Sequence, residues 1–277
     1  MGLFNSYLKE GPGVDVNAPN AKKGIFLFFE VLGRKFFKLM KANGLYFLTS
    51  IPFFVIVMLI LAPILRGIFV SAETVGDNPM SQILFDLMFA GIIFNFIGSG
   101  PSAAAYAFVT RSFTRSEPVW VASDGFDKFK ENFKYSMLLG IIDIVILFLA
   151  YVAVGFYGSN GNLFYVFAYF FSMIILAIYS MAHMFMYQIM VTYNCKFKDI
   201  IKNAIILTFA KLPMCILLSV IGVVLCALIY SYLGFFGIVV YALIGMSFTR
   251  FPLEFYAARV IDKNIALTQN SNQGDTE

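Results

Sequence analysis

The sequence predicts an all-α protein, a polytopic transmembrane helical bundle of about six spans with both its N-terminus and its C-terminus cytoplasmic. Three observations predict it. Of the 277 residues, 60% are hydrophobic and 13% charged, with a mean hydropathy of +0.81, so lipid is the expected solvent for most of the chain. The apolar residues form long unbroken runs instead of alternating, and a backbone surrounded by hydrocarbon satisfies its own polar groups only as a helix or a closed barrel. Finally, with the runs threaded as six spans, only Arg66 of the 20 Lys and Arg residues falls on the side opposite the termini, which orients the chain by the positive-inside rule.

Residues 1–21 form a polar segment with Gly11-Pro12-Gly13 and no apolar core, so no cleavable leader is expected. Met1-Gly2-Leu3-Phe4-Asn5-Ser6 fits an N-myristoylation pattern, which an already apolar chain does not need as an anchor. Residues 22–42 read as an interfacial amphipathic helix. Ile25, Phe28, Phe29, Leu32, Phe36 and Leu39 recur at helical spacing, opposite Glu30, Arg34, Lys38 and Lys41. Such a helix suits the inner leaflet, as a topology anchor or as a site for anionic lipid or a partner helix.

The transmembrane domain covers residues 43–263. About 20 apolar residues cross a bilayer, which places span one at Leu45–Leu65 and span two within Ile83–Thr110. Span three covers about Tyr135–Phe156, and span four covers Leu163–Thr192. Leu212–Thr249 holds no charge and as one helix would be about 57 Å long, nearly twice the hydrocarbon core. It is therefore expected to reverse at Leu233-Gly234-Phe235-Phe236-Gly237, giving spans five and six. Residues 264–277 are a polar tail.

Lys128-Phe129-Lys130-Glu131-Asn132-Phe133-Lys134 and Lys196-Phe197-Lys198-Asp199-Ile200-Ile201-Lys202 share the pattern K-F-K-[DE]-x-x-K, and Lys35-Phe36 with Lys41 keeps part of it. Ser-Phe-Thr-Arg occurs at Ser112–Arg115 and Ser247–Arg250. Either each hairpin is one unit of a parallel repeat, with Lys128 matching Lys196, or Lys and Phe simply suit the inner interface.

Two groups of residues are candidates for chemistry inside the membrane. Gly98, Ser99, Gly100, Pro101 and Ser102 interrupt span two, so a half-helix is expected to start near Pro101. Its N–H end could face a polar ligand, or the small residues could serve close helix packing. Asp143, His183 and Arg250 lie at a common depth, roughly 10–13 Å from the inner edge at 1.5 Å per residue, and are expected to form one polar cluster, since unpaired charges there are costly. A third candidate, a partner surface, comprises Phe126, Phe129, Lys130, Phe133, Lys134, Lys196, Phe197 and Lys202. Phe126, Phe129 and Phe133 share one helical face with lysines around it.

One histidine and three scattered cysteines, Cys195, Cys215 and Cys226, build neither an ordinary zinc site nor a Ser-His-Asp or Cys-His pattern. No catalytic residue, cofactor or metal is expected, and the cysteines read as reduced packing residues. Gly-Ser-Gly-Pro lacks the G-K-[ST] ending of a phosphate loop.

Phe96-Ile97-Gly98-Ser99-Gly100-Pro101-Ser102-Ala103-Ala104-Ala105-Tyr106, then Arg111 and Phe126–Lys134, resembles the signature region of the YesL family of bacterial integral membrane proteins, a domain of unknown function. Lys202-Asn203-Ala204-Ile205-Ile206-Leu207 with Leu212-Pro213 is similar to that family's second cytoplasmic stretch, and the resemblance covers about residues 83–263. The N-terminal extension and the length around residues 53–90 depart from it. The resemblance implies the bacterial cytoplasmic membrane and a link to carbohydrate uptake, and it assigns no catalytic residues.

The expected function is thus that of a non-enzymatic accessory or interaction protein, whose partners are the lipid bilayer and another membrane protein such as a sugar transporter, not nucleic acid. The alternative is a small-solute transporter or channel, to which the broken span and the Asp143, His183 and Arg250 layer point.

Overall fold

The computed structural model describes residues 24–56, 79–83, 99–158, 162–234 and 236–274, which are helical throughout apart from short connections. In chain order the helices are α1 (Ile25–Arg34), α2 (Phe36–Ile56), α3 (Pro101–Thr114), α4 (Ser123–Glu131), α5 (Phe133–Gly158), α6 (Leu163–Thr192), α7 (Phe197–Ala210) and α8 (Leu212–Leu233). The last stretch is α9 (Phe236–Val240), a π-helical turn (Tyr241–Gly245), α10 (Met246–Thr249) and α11 (Phe251–Gly274). Among the described residues, three helices are long and apolar enough to cross a membrane: α5, α6 and α8. They coincide with the expected spans three, four and five. The outer part of span one beyond Ile56, the first part of span two, Gly98 and the turn residues 159–161 lie outside the described residues.

Local chemistry explains where helices start and stop. Pro101 and Pro213 stand at the first positions of α3 and α8, and Pro252 follows the first residue of α11. Proline has no N–H to give to the preceding turn, so it is tolerated there and interrupts a helix that would otherwise continue. Gly234 ends α8 with φ 52° and ψ −129°, a conformation that favours glycine. Gly237 then returns so close to α8 that a Cβ on it would lie 3.2 Å from the Ile229 carbonyl oxygen. The chain therefore reverses within Leu233–Gly237.

Three times a short helix is joined to a longer one through a single residue that leaves the helical conformation: Lys35 (φ −105°, ψ 11°), Asn132 (φ −94°, ψ 7°) and Lys211 (φ −122°, ψ 22°); Arg250, between α10 and α11, keeps it (φ −91°, ψ −41°). All three occupy the sparsely populated bridge between helix and strand conformations. The Lys-Phe pattern does not keep step with these breaks. Asn132 comes four residues after Lys128, Lys211 fifteen after Lys196, and Lys35 is itself a break. Nor are the two Ser-Phe-Thr-Arg stretches equivalent. Arg115 caps α3 at the partly exposed rim, whereas Arg250 is buried between α10 and α11. What repeats is helix, break, helix, and the sequence motif registers differently on each copy.

The break at Lys35 also divides the segment expected to be one amphipathic helix. Leu27, Val31, Leu32 and Leu39 turn into the core, and the Phe28 ring packs 5.6 Å from Phe251 and 5.4 Å from Phe255. Ile25 and Phe29, expected to share one leaflet-facing apolar face with Phe28, Leu32 and Leu39, point outward with Phe26 while those three turn toward the bundle. Helix α1 therefore has two apolar faces, one against the bundle and one available to lipid.

The core centres on the C-terminal half of α6, where Ala182–Met190 is wholly buried against α3, α5, α7 and α11, while Phe164, Phe167, Phe170 and Phe171 of its N-terminal half are exposed. Small side chains on α3, Ser102, Ala103, Ala104 and Ala107, are fully buried and let α2, α6 and α11 approach it. Arg115 donates through Nε and Nη2 to both Asp262 carboxylate oxygens, tying the end of α3 to α11. Arg115→Gln should lower stability by about 1 kcal/mol, as expected for a partly exposed, two-pronged pair. Asp262→Asn should cost a similar amount and the double variant little more, as read by thermal melting in detergent.

Candidate functional site

At the start of α3, Gly100 has φ 62° and ψ −125°, and its carbonyl oxygen accepts from the Ala103 and Ala104 N–H groups at 3.0 and 3.3 Å. A Cβ on Gly100 would lie 3.3 Å from the Ser136 carbonyl oxygen of α5. Pro101 and Ser102 are buried, and Ser99 hydrogen-bonds Ser50 of α2 at 2.6 Å. The break thus brings the backbones of α3 and α5 together and ties the start of α3 to α2 through a side-chain hydrogen bond. Among the described residues its surroundings are protein, as close packing requires.

The ionisable residues within the bundle form two linked pairs instead of one cluster. The Asp143 Oδ1 atom on α5 accepts from the Tyr179 hydroxyl at 2.5 Å and lies 2.7 Å from His183 Nε2, both on α6. Arg250 does not join them. Its guanidinium contacts the Glu254 carboxylate at 3.2 Å and the Tyr46 hydroxyl at 3.5 Å, with its centre 5.3 Å from the Tyr46 ring and 5.9 Å from that of Tyr106. Glu254 in turn accepts from Gln188 Nε2 at 2.7 Å, and the same nitrogen reaches the Ala107 carbonyl at 3.1 Å. Tyr106 donates to Asn43, which donates to the Ser247 hydroxyl and the Leu243 carbonyl. The spacing explains the pairing: Arg250 and Glu254 are one helical turn apart, as are Tyr179 and His183.

Asp143, His183, Arg250 and Glu254 are each at most 3% exposed. Arg250 and Glu254 cancel each other's charge. Four buried polar atoms here have no hydrogen-bond partner among the described residues: Asp143 Oδ2, His183 Nδ1, the Tyr187 hydroxyl and Gln188 Oε1. They could take a proton, a water or a small polar group.

On the α4 side of the bundle, Phe126 stacks on Phe129 and Phe129 meets the tilted ring of Phe133, with ring centroids 5.9 Å apart in both pairs. Lys130 lies 4.5 Å over the Phe126 ring, and Lys128 pairs with Glu131. Phe126 and Phe129 partly face a groove against α2 and α3, while Phe133, Lys130 and Lys134 remain exposed. Lys196 and Lys202 are exposed at the start of α7, and Phe197 packs 5.8 Å from Tyr135. Burial, with Lys38 and Arg34 nearby, pushes the Lys35 ammonium below its usual value, a sign of crowded positive charge on this side.

Several residues of the polar interior were missed by sequence reasoning: Glu254, Gln188, Tyr46, Tyr106, Asn43 and Tyr179. A signal existed for Glu254, four residues from Arg250, and for Gln188 in an apolar helix. Nothing local distinguishes Tyr46 or Tyr106 from the chain's many other aromatics. Among the described residues no three His, Cys, Asp or Glu side chains gather as a metal site would need.

Fold and site together define a helical protein with a hydrogen-bonded polar interior and, among the described residues, three helices long and apolar enough to cross a membrane. Residues 80–154, less than half of the chain, match the family described as "Protein of unknown function, DUF624"; the match takes in the Gly100-Pro101 break, α3, α4 and most of α5. No curated protein and no solved structure matches the chain.

Breaking the Asp143 and His183 pair should be costly, because a buried group left without its partner loses about 3 kcal/mol or more. Asp143→Asn and His183→Gln should each lower the melting temperature in detergent, and the double variant should be no worse than either alone. Additive losses would show that the two do not act as a pair.

Proposed function

We propose that this chain is a multi-pass protein of the bacterial cytoplasmic membrane, similar to the YesL family, acting as a non-enzymatic accessory to another membrane protein, with a sugar transporter as the favoured partner. The observation that carries the reading is the cytoplasmic surface of α4 and the start of α5. There Phe126 stacks on Phe129, which meets the tilted ring of Phe133, and the row is edged by Lys130 and Lys134 and by the exposed basic end of α7. A surface that only followed anionic lipid would need charge alone, whereas protein interfaces draw on aromatic shape as well.

Phe129→Ala and Lys130→Gln separate the two. In purification from mild detergent at equal membrane abundance, Phe129→Ala should reduce recovery of a co-purifying transporter component several-fold and more than Lys130→Gln does. Unchanged recovery in both variants would remove the docking reading.

A second reading, a small-solute transporter, is favoured by the four buried polar atoms without partners around Asp143 and His183. Solute flux into vesicles reconstituted with the pure chain, lost in Asp143→Asn, would establish it in place of the first.

Both readings require six spans with the termini inside. Single cysteines at Asn78 and Asn160 in a Cys-free background should react with an impermeant maleimide on intact cells, and one at Asn272 should not. Labelling at Asn272 would overturn the topology.

A further inference from the structure

A cavity of about 620 Å³ lies between α11 and the junction of α7 with α8, a volume in the range of small-molecule sites. On α11 its lining runs from Tyr256 to Asn264, and across it stands Lys211, the residue that joins α7 to α8. Helix α8 is long and apolar enough to cross a membrane, so Lys211 marks the end of a potential span. The cavity therefore lies where headgroups and water meet the protein.

Its wall is cationic. Arg259 and Lys263 both line it and stand one turn apart on α11, so they are neighbours on one face. Both are exposed, as is Lys211. Among the described residues none of the three makes an ion pair. Asp262 is the one carboxylate of the lining, and both its oxygens accept from Arg115 of α3. Three cations thus face one cavity while its carboxylate is matched by a fourth. Like charges one turn apart repel, and an anion between them relieves that repulsion.

The side chains narrow the chemistry of the anion. A guanidinium presents a fork of donors that fits two phosphate oxygens, and a lysine ammonium beside it adds a point charge. Next to these cations Val260 is buried and Tyr256 packs half-buried against the core, which gives the cavity an apolar wall. A free inorganic ion would leave most of the volume and this wall unused, whereas an ester carries an organic part to fill them.

We propose that this cavity binds a phosphate monoester, with the phosphate between Arg259 and Lys263, Lys211 on the opposite wall, and the organic part against Tyr256 and Val260. A soluble phosphorylated metabolite and the headgroup of phosphatidic acid both present that group at this level. The site goes beyond partner docking and shares no residue with the surface assigned to a partner, so either idea can fail alone.

The full chain, purified in mild detergent, is dialysed against labelled glycerol phosphate. Separately it is incubated with phosphatidic acid, which carries the same group on two acyl chains, or with phosphatidylcholine, and bound lipid is counted by native mass spectrometry. One phosphate monoester should be held per chain, and phosphatidylcholine should not be retained at the same concentration. Arg259→Gln, Lys263→Gln and Lys211→Gln should each weaken binding about tenfold, as loss of one charge-assisted hydrogen bond implies, with the melting temperature unchanged. Lys198→Gln, which removes an exposed lysine of α7 outside the cavity, should leave binding as it is. Glycerol phosphate that binds by itself and displaces phosphatidic acid would identify a soluble ligand. Phosphatidic acid that is held and not displaced would identify a lipid, and either result with the cavity variants weakened upholds the site. Failure of both probes to bind at one per chain, or losses in the cavity variants no larger than in Lys198→Gln, would overturn it.

Discussion

The Arg250 guanidinium lies at the centre of the bundle, where little water can reach it, and four helices are arranged around the groups that neutralise it. Glu254 is one turn along on α11, and Tyr46 of α2 and Tyr106 of α3 offer their rings. Gln188 of α6 holds Glu254 in place while bonding the α3 backbone. A charge buried without such partners would be several kcal/mol unfavourable, so these helices cannot slide or rotate independently. In a bilayer, where the hydrophobic effect does not favour one helix pairing over another, such directional contacts select the arrangement.

The breaks in the helices follow from the same need to satisfy backbone groups. Pro101, Pro213 and Pro252 each stand within the first two positions of a helix, where a missing N–H leaves nothing unpaired. Gly100 permits the backbone of α3 to lie against that of α5. The π-helical turn at Tyr241–Gly245 has a related effect, since the Leu243 carbonyl within it accepts from Asn43 of α2. Irregular backbone at membrane depth is tolerated where protein groups meet it, and these do.

Chemistry is divided between two regions of the molecule. The interior joins helices through hydrogen bonds, the Asp143 and His183 contact among them. The other region carries lysines beside phenylalanines on short helices that each precede a long one. The phenylalanine row is itself divided: Phe126 and Phe129 line the groove against α2 and α3, while Phe133 and Lys134 face outward.

The sequence by itself determined the helical class, the boundaries of α5, α6 and α8 and the reversal near Gly234, because these depend on apolar run length, proline and glycine, all of which act over a few residues. It also placed Asp143 and His183 at matching depth, since rise per residue is a local quantity. Only the tertiary structure decided that Arg250 pairs with Glu254 and not Asp143, and that Ile25 and Phe29 turn outward while Phe28 turns in. It likewise decided that the two Ser-Phe-Thr-Arg stretches occupy unlike places. The reason is that helical periodicity states which residues share a face but not which neighbour that face meets. Partner choice in an interior without water is settled by the nearest group that completes a hydrogen bond or cancels a charge, and that group can be hundreds of positions away, as Asn43 is from Ser247.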